Sequence, residues 1–315
     1  MRAIFVGAVC AVLAACNSGG GTPAPSPTPT ATPSPTPTPA TLLTLTSDQV
    51  FATASARVMN PYGPDFTYVP SSSLDSYGNT ITFNYGVTGN YAINGDDTNP
   101  PAFPASSLVA GSDPVFASYN VSPTGDSNLL TLFRPGSANT RLALSYASYG
   151  ILDDMRFFSS HYNRHYYRSF AYGLAAPLSG VPSTGNLAFA SSVDGYWARL
   201  RTIDPINGYI ALRLSGPVTM SVDYAARTVS LSMQLSGTDN NAGGLGTVAL
   251  GTVQGTGNFS ATSNTISGTL TGAGFTGSFS GSLFGPQATE LGLAFRVTST
   301  SPSQQDVAGV VVGKR

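Results

Sequence analysis

Two stretches toward the C-terminal end of this chain leave little choice of secondary structure. In "PVTMSVDYAARTVSLSMQL" (217–235) apolar side chains recur at every second position. Val218, Met220, Val222 and Tyr224 form one run, and Val229, Leu231, Met233 and Leu235 form the next. A period of two is the mark of a half-buried strand, and the link Ala225-Ala226-Arg227 folds the two runs into a hairpin. "NTISGTLTGAGFTGSFSG" (264–281) repeats the arrangement around Gly272-Ala273-Gly274. "TELGLAFRVTS" (289–299) adds a strand with Leu291, Leu293, Phe295 and Val297 on one face, and "AGVVVGKR" closes the chain.

Short strands joined by tight turns predict an all-β protein ending in a soluble, antiparallel, up-and-down barrel of about eight strands over 175–315. Gly268, Gly272, Gly277 and Gly281 are expected on its polar face, where curvature and neighbouring rings need room. The strands carry no aromatic girdles around a tall apolar band, which argues against a membrane-spanning barrel. Composition agrees with an extracytoplasmic β protein: 35 Gly, 23 Pro, only 9% charged residues and a net charge of −1. That charge gives no electrostatic reason to bind nucleic acid.

The N-terminus reads "MRAIFVGAVCAVLAAC", with Arg2, an apolar run from Ile4 to Leu13, two alanines and a cysteine. This is a secretory signal, too short to span as a mature transmembrane helix. Leu13-Ala14-Ala15-Cys16 resembles a bacterial lipobox, which implies a signal peptide over 1–15 and a membrane anchor through acylated Cys16. Cys10 leaves with the signal, so the mature chain keeps no free thiol. Asn17 follows the cysteine, and in similar lipoproteins this position favours export to the outer membrane. From 16 to 40 the chain is rich in Pro and Thr, with proline at alternate positions. It is expected to be a disordered, polyproline-like tether reaching on the order of 60 Å.

Residues 41–174 read as an irregular β domain. "NTITFNYGVTGNYAI" places Ile81, Phe83 and Tyr85 on one face, and "RLALSYASYGIL" does the same for Leu142, Leu144 and Tyr146. Long Pro-, Gly- and Asn-rich stretches between them read as exposed loops. "AAPLSGVPSTG" (175–185) is the internal boundary.

The C-terminal part resembles the barrel domain of surface lipoproteins typified by transferrin-binding protein B and, more distantly, factor H-binding protein. The resemblance rests on Leu283-Phe284-Gly285-Pro286-Gln287-Ala288-Thr289-Glu290-Leu291-Gly292 and, in the same order, on 182–197, 218–230 and the terminal "GVVVGKR". Leu283 stands where the family prefers an aromatic, and Leu293 where a second glycine is common. The resemblance covers about 177–315 and implies that 41–174 is the family's handle domain. It also implies a binding module at the cell surface, with an extracellular protein or an iron- or haem-type solute as partner and a TonB-dependent receptor downstream.

Gly285, Pro286, Glu290 and Gly292 are expected to form a structural turn. Glu290 is the only glutamate in the chain. Its carboxylate is expected to accept from the amides of 287–289, or from Arg296 or Arg199. A ligand-binding role is the alternative.

The densest chemistry lies in "MRFFSSHYNRHYYRSFAYG" (155–173), where seven aromatics interleave with His161, His165, Arg156, Arg164 and Arg168. Three readings stay open. One is a protein-binding patch built from His161, Tyr162, Arg164, His165, Tyr166 and Arg168. Another is a metal or haem site with imidazole or tyrosinate ligands, which the lack of a neighbouring carboxylate in sequence disfavours. The third is a strand that packs handle on barrel with its charges outward. Trp197, beside Arg199, is expected in the barrel core. No cofactor is required by any motif. H-E-x-x-H, G-x-S-x-G, phosphate-loop and dinucleotide fingerprints are all missing, so the chain is expected not to be an enzyme. Adjacent Asp153 and Asp154 would face opposite sides of a strand. The expected function is an outer-membrane-anchored binding module for a protein or small solute. The alternative is a shielding surface lipoprotein with no specific ligand.

Overall fold

The computed structural model describes residues 39–62, 69–95, 102–111, 113–122, 126–159, 162–200, 209–239, 244–300 and 305–315. For 62, 157–159 and 162 it describes the backbone alone. Pro39–Arg315 form one compact unit. The expected signal peptide, Cys16 and nearly all of the expected tether lie outside the described residues.

The first half contributes β1 (Gln49–Ala52), β2 (Ala54–Tyr62), β3 (Ser71–Asp75), β4 (Thr82–Tyr85), β5 (Tyr91–Asn94), β6 (Phe116–Val121), β7 (Ser127–Phe133), β8 (Ala147–Ser159) and β9 (Tyr162–Gly173). These make two antiparallel sheets: a six-stranded one in the order β3-β2-β9-β8-β7-β6, and a three-stranded one in the order β1-β4-β5.

The second half contributes β10 (Asn186–Leu200), β11 (Tyr209–Ser215), β12 (Val218–Asp223), β13 (Thr228–Thr238), β14 (Thr247–Phe259), β15 (Thr265–Gly272), β16 (Phe275–Phe284), β17 (Glu290–Ser299) and β18 (Asp306–Lys314). β11 and β12 act as one interrupted strand: both pair with β10 on one side and β13 on the other. Each later strand pairs with the next, and β10 pairs with β18 from Ala190↔Lys314 to Ala198↔Asp306. The result is a closed, antiparallel, eight-stranded barrel with no open edge.

The barrel is filled by its own side chains. One interior layer passes from strand to strand through Leu231, Gly255, Leu270, Gly277, Val297, Val307 and Trp197. This corrects the expected placement of the glycines. Gly268, Gly272, Gly277 and Gly281 alternate with Ile266, Leu270, Phe275 and Phe279, on the inward face. The reason is close approach: a Cβ at Gly272, Gly277 or Gly281 would stand 2.4, 2.0 or 2.0 Å from a backbone carbonyl oxygen of the neighbouring strand, and at Gly268 a ring also stands in the way. A Cβ added at Gly268 would stand 2.3 Å from Cζ of Phe279, and one at Gly257 would stand 2.7 Å from the same atom. Bare backbone on two neighbouring strands makes the space the ring occupies.

The six-stranded sheet is covered on both faces over part of its length. Its barrel side presents Ala54, Ala56, Val58, Ile151, Tyr149, Tyr167 and Ala171 to the outer wall of the barrel. That wall is made there of Ala198, Ala294, Ala308, Val310 and Val312. This explains the unbroken apolar run Val310-Val311-Val312. Val311 faces the barrel interior, while its neighbours face the handle. The other side packs Leu130, Leu132, Leu152, Phe170 and Tyr172 on Phe51, Ile81, Phe83 and Ile93 of the three-stranded sheet and its flanks.

One expected strand is missing. Leu142–Tyr146 is irregular backbone, and β8 begins only at Ala147. The Leu142 and Leu144 amides donate locally, to Asn139 Oδ1 and the Leu142 carbonyl, while those of Ser145 and Tyr146 go to a partner far away in sequence, Glu290.

Candidate functional site

The turn that follows β16 is a joint between barrel and handle. Gly285 sits at φ +73, and a Cβ there would collide with the ring of Tyr146. Its amide donates to the Leu174 carbonyl, and the Ala176 amide donates to the Leu283 carbonyl, so the chain leaving the handle is laced to the end of β16. Pro286 opens a single 3-10 turn through Ala288. Glu290 then begins β17 with its side chain fully buried. Its Oε1 accepts from the Ser145 amide, and its Oε2 accepts from the amides of Tyr146 and Ala147, each at 2.8 Å. The expected donors at 287–289, Arg296 and Arg199 are therefore replaced by three consecutive amides of the handle. The arrangement resembles an anion held by a run of backbone N–H groups, with the anion supplied by the protein itself. Two residues on, a Cβ at Gly292 would stand 3.0 Å from that of Ala171 in β9, which sets how closely the two parts approach.

A second joint lies at the middle of the interface. Asp194, on the outer side of β10, is almost fully buried and accepts from the Tyr149 hydroxyl of the handle (2.9 Å), the Gly195 amide and both Nε and Nη2 of Arg213. Arg141 approaches the same carboxylate at 3.5 Å. Burial by itself lowers the Arg213 pKa, but the Asp194 charge and its hydrogen bonds, helped by Tyr196, more than offset this and raise it. The same burial, reinforced by Asp194, pushes the Tyr149 phenol well above its ordinary value. These are load-sharing contacts between the halves rather than exposed chemistry.

The arginine- and tyrosine-rich segment forms most of β8 and β9. Strand alternation sorts it into two faces. His165 and Tyr167 turn toward the barrel side. The His165 ring stacks on Tyr167 with centroids 5.8 Å apart, and its Nδ1 lies 3.2 Å from Oδ1 of Asp153. A carboxylate thus does stand beside this histidine, brought there by β8–β9 pairing rather than by sequence proximity. Arg164, Tyr166 and Arg168 turn the other way. Tyr166 is flanked by the guanidinium groups of Arg57 from β2 and Arg156 from β8, each 5.3 Å from its ring centre. Arg156 also reaches Asp154 Oδ2 at 2.8 Å. Arg168 is not outward: it is buried and donates to Ser55 Oγ at 2.8 Å. Arg57, Arg156, Arg164 and Tyr166 stay half-exposed.

Of the residues singled out in this segment, the structure brings Arg164, Tyr166 and Arg168 onto one face and His165 onto the other. His161 and the Tyr162 side chain lie outside the described residues. Arg57 was not anticipated, because only strand pairing across more than 100 residues brings it to Tyr166. Among the described residues no three His, Cys, Asp or Glu side chains are grouped to hold a metal ion. His165 and Asp153 make only a pair, which does not fit a metal or haem iron on their own.

No protein-family model matches the sequence, and neither does any curated protein. Solved structures do. The chain is similar to a doubly substituted transferrin-binding protein B of Haemophilus parasuis, at 16% identity and a TM-score of 0.45, over 84% of this chain and 44% of that one. It is similar to isotype 1 transferrin-binding protein B of serogroup B Neisseria meningitidis, at 15% identity and a TM-score of 0.42, over 82% and 43%. The N-lobe of lactoferrin-binding protein B of Moraxella bovis matches over 84% and 99%, at 8% identity and a TM-score of 0.36. The chain spans less than half the length of the two transferrin-binding proteins.

Proposed function

We propose that the chain is a lipid-anchored binding module of the outer membrane. In this reading the barrel is a rigid mount, and the handle offers its arginine–tyrosine face to a protein partner with an acidic surface. The observation that carries the reading is the cluster of Arg57, Arg156 and Arg164 around Tyr166 on the half-exposed face of β2, β9 and β8. Arginine and tyrosine are the residues that interface cores favour, and a guanidinium already held over a ring loses less freedom when a carboxylate binds. In this reading any iron or haem arrives as the partner's cargo and passes to a TonB-dependent receptor.

The shielding alternative draws on a different part of the molecule. Around β13, β14 and β15 the outer wall of the barrel presents Ser230, Thr256, Asn258, Ser267 and Thr269, an uncharged hydrated surface.

The test uses the full lipoprotein. Palmitate labelling is expected in the unmodified protein and lost in Cys16→Ser, and protease added to intact cells is expected to cut the tether. A partner cross-linked from the extracellular fluids the cell meets should bind the Arg57→Glu/Arg164→Glu variant about 30-fold more weakly, or ~2 kcal/mol. Unchanged affinity would remove the face from the site. Failure to capture any partner would favour shielding.

A further inference from the structure

Between the three-stranded sheet and the β6–β7 hairpin lies an open cavity of about 760 Å³. This is within the range of sites that enclose a small organic molecule. None of the arginine-face residues lines it. Its apolar floor comes from Ala117 and Leu132, and its wall from the rings of Tyr85, Tyr91, Tyr119 and Tyr172. Tyr91 meets Tyr119 edge to face at 5.0 Å, and Tyr85 lies 5.4 Å from Tyr91. At the rim stands Arg134, the residue after β7. Its Nε donates to the Phe116 carbonyl at 2.9 Å, which anchors the guanidinium. Its two Nη groups take no partner among the described residues. Asp113 shares the rim, but one of its oxygens accepts from the Val115 amide and no ion pair joins it to Arg134 among the described residues.

The choice of tyrosine here is informative. The same apolar cluster uses Phe83, Phe103 and Phe170 where only packing is needed. A buried phenol must find a hydrogen-bond partner and stabilises a core no better than a phenyl ring. Burial raises the pKa of Tyr85, of Tyr91 and of Tyr172, so at neutral pH all three remain protonated donors rather than phenolate metal ligands. The Tyr172 hydroxyl is already bonded to Ser148 and that of Tyr91 to Tyr119, so the cavity offers a ligand aromatic walls and one cation whose terminal nitrogens are available.

We propose that this cavity binds a small planar aromatic carboxylate, with its ring against the tyrosine wall and its carboxylate on Arg134. An aromatic body matches ring walls, and a single negative charge matches the single guanidinium, which pairs with carboxylates through two parallel hydrogen bonds.

The experiment titrates 2-naphthoate and its neutral counterpart 2-naphthylmethanol into the full chain and follows ligand fluorescence anisotropy. Saturable binding of 2-naphthoate, at least about tenfold tighter than the alcohol, is the expected result. Arg134→Gln should erase that difference while leaving the alcohol unchanged. Because Arg134→Gln also removes the bond to the Phe116 carbonyl, the two-ligand comparison on the unmodified chain is an independent readout. Equal affinity for the two ligands, no saturation at millimolar 2-naphthoate, or full binding by Arg134→Gln would each overturn the proposal.

Discussion

Glu290 and Lys314, the only glutamate and the only lysine of the chain, stand opposite each other in register on β17 and β18. Each hydrogen-bonds to the same handle segment. Glu290 takes the amides of 145–147, and Lys314 Nζ donates to the Ala143 carbonyl at 2.8 Å. One acid and one base thus grip donors and acceptors of the irregular stretch that leads into β8. In a protein with so few charges, both of these unique residues go to fixing the handle on the barrel.

Replacing Glu290 by Gln should therefore be costly although the shapes match. A carboxamide has one acceptor oxygen, and its NH₂ would face amide donors that have no other partner. The expected loss is about 3 kcal/mol, against ~1 kcal/mol for Lys314→Met, which removes a single bond. Urea unfolding of the two variants would measure this. A Glu290→Gln cost no greater than that of Lys314→Met would show that the amides find other acceptors.

The contact between Gly268 and Phe279 makes a second prediction. Gly268→Ala should destabilise by about 1–3 kcal/mol, because its Cβ would overlap the ring. In a Phe279→Leu background the same change should cost less, the remainder coming from the Thr256 carbonyl oxygen 2.4 Å from the added Cβ. A double-mutant cycle that came out additive would mean that this carbonyl, not the ring, sets the cost.

The barrel was legible because each hairpin carries its own evidence. Val222 and Val229 are cross-strand partners, and the link between them is the one read from Ala225-Ala226-Arg227. The glycines were placed on the wrong face because an alternating pattern does not say whether a glycine replaces a polar or an apolar residue. That depends on other strands: on the Thr252, Arg296 and Gly292 carbonyls beside Gly272, Gly277 and Gly281, and on Phe279 beside Gly268. The handle resisted for the same reason. Leu142, Leu144 and Tyr146 alternate like a strand, yet the Leu142 and Leu144 amides are used locally, by Asn139 and the Leu142 carbonyl, and that of Tyr146 is claimed by a residue about 145 positions away. At the candidate site, Arg164, Tyr166 and Arg168 were visible as a cluster, but Arg57 and Asp153 join their neighbours only through strand pairing. The tyrosine cavity was invisible, since Tyr85, Tyr91, Tyr119 and Tyr172 come from four separate strands.

The Asp194–Arg213 pair at the interface predicts an asymmetry. Arg213→Met alone leaves a buried carboxylate with much of its compensation gone and should cost about 3–5 kcal/mol. Asp194→Asn combined with Arg213→Met removes both charges while keeping an acceptor for the Tyr149 hydroxyl, and should be the milder change. Thermal unfolding would rank them. A double variant less stable than Arg213→Met would show that the carboxylate serves Tyr149 and Gly195 more than it serves Arg213.

Asp306 predicts a pH dependence of the opposite kind to most carboxylates. Burial raises its pKa above the usual 3.8, opposed in part by the Ser72 hydroxyl, which donates at 2.6 Å, and by Arg296. A carboxyl that holds its proton more tightly in the folded chain makes folding more favourable below its unfolded pKa. That advantage is lost as pH rises through the folded value, which leaves a fixed penalty at neutral pH. Asp306→Asn keeps an acceptor for Ser72 and carries no charge, so it should be more stable than the unmodified chain at pH 7. The gap should narrow as pH falls and close below about pH 3.8. All other carboxylates are common to both proteins, so the difference in melting temperature between pH 3 and 7 isolates this group. A difference that stays constant over that range, or that widens toward acid, would mean Asp306 is held as a stabilised anion instead.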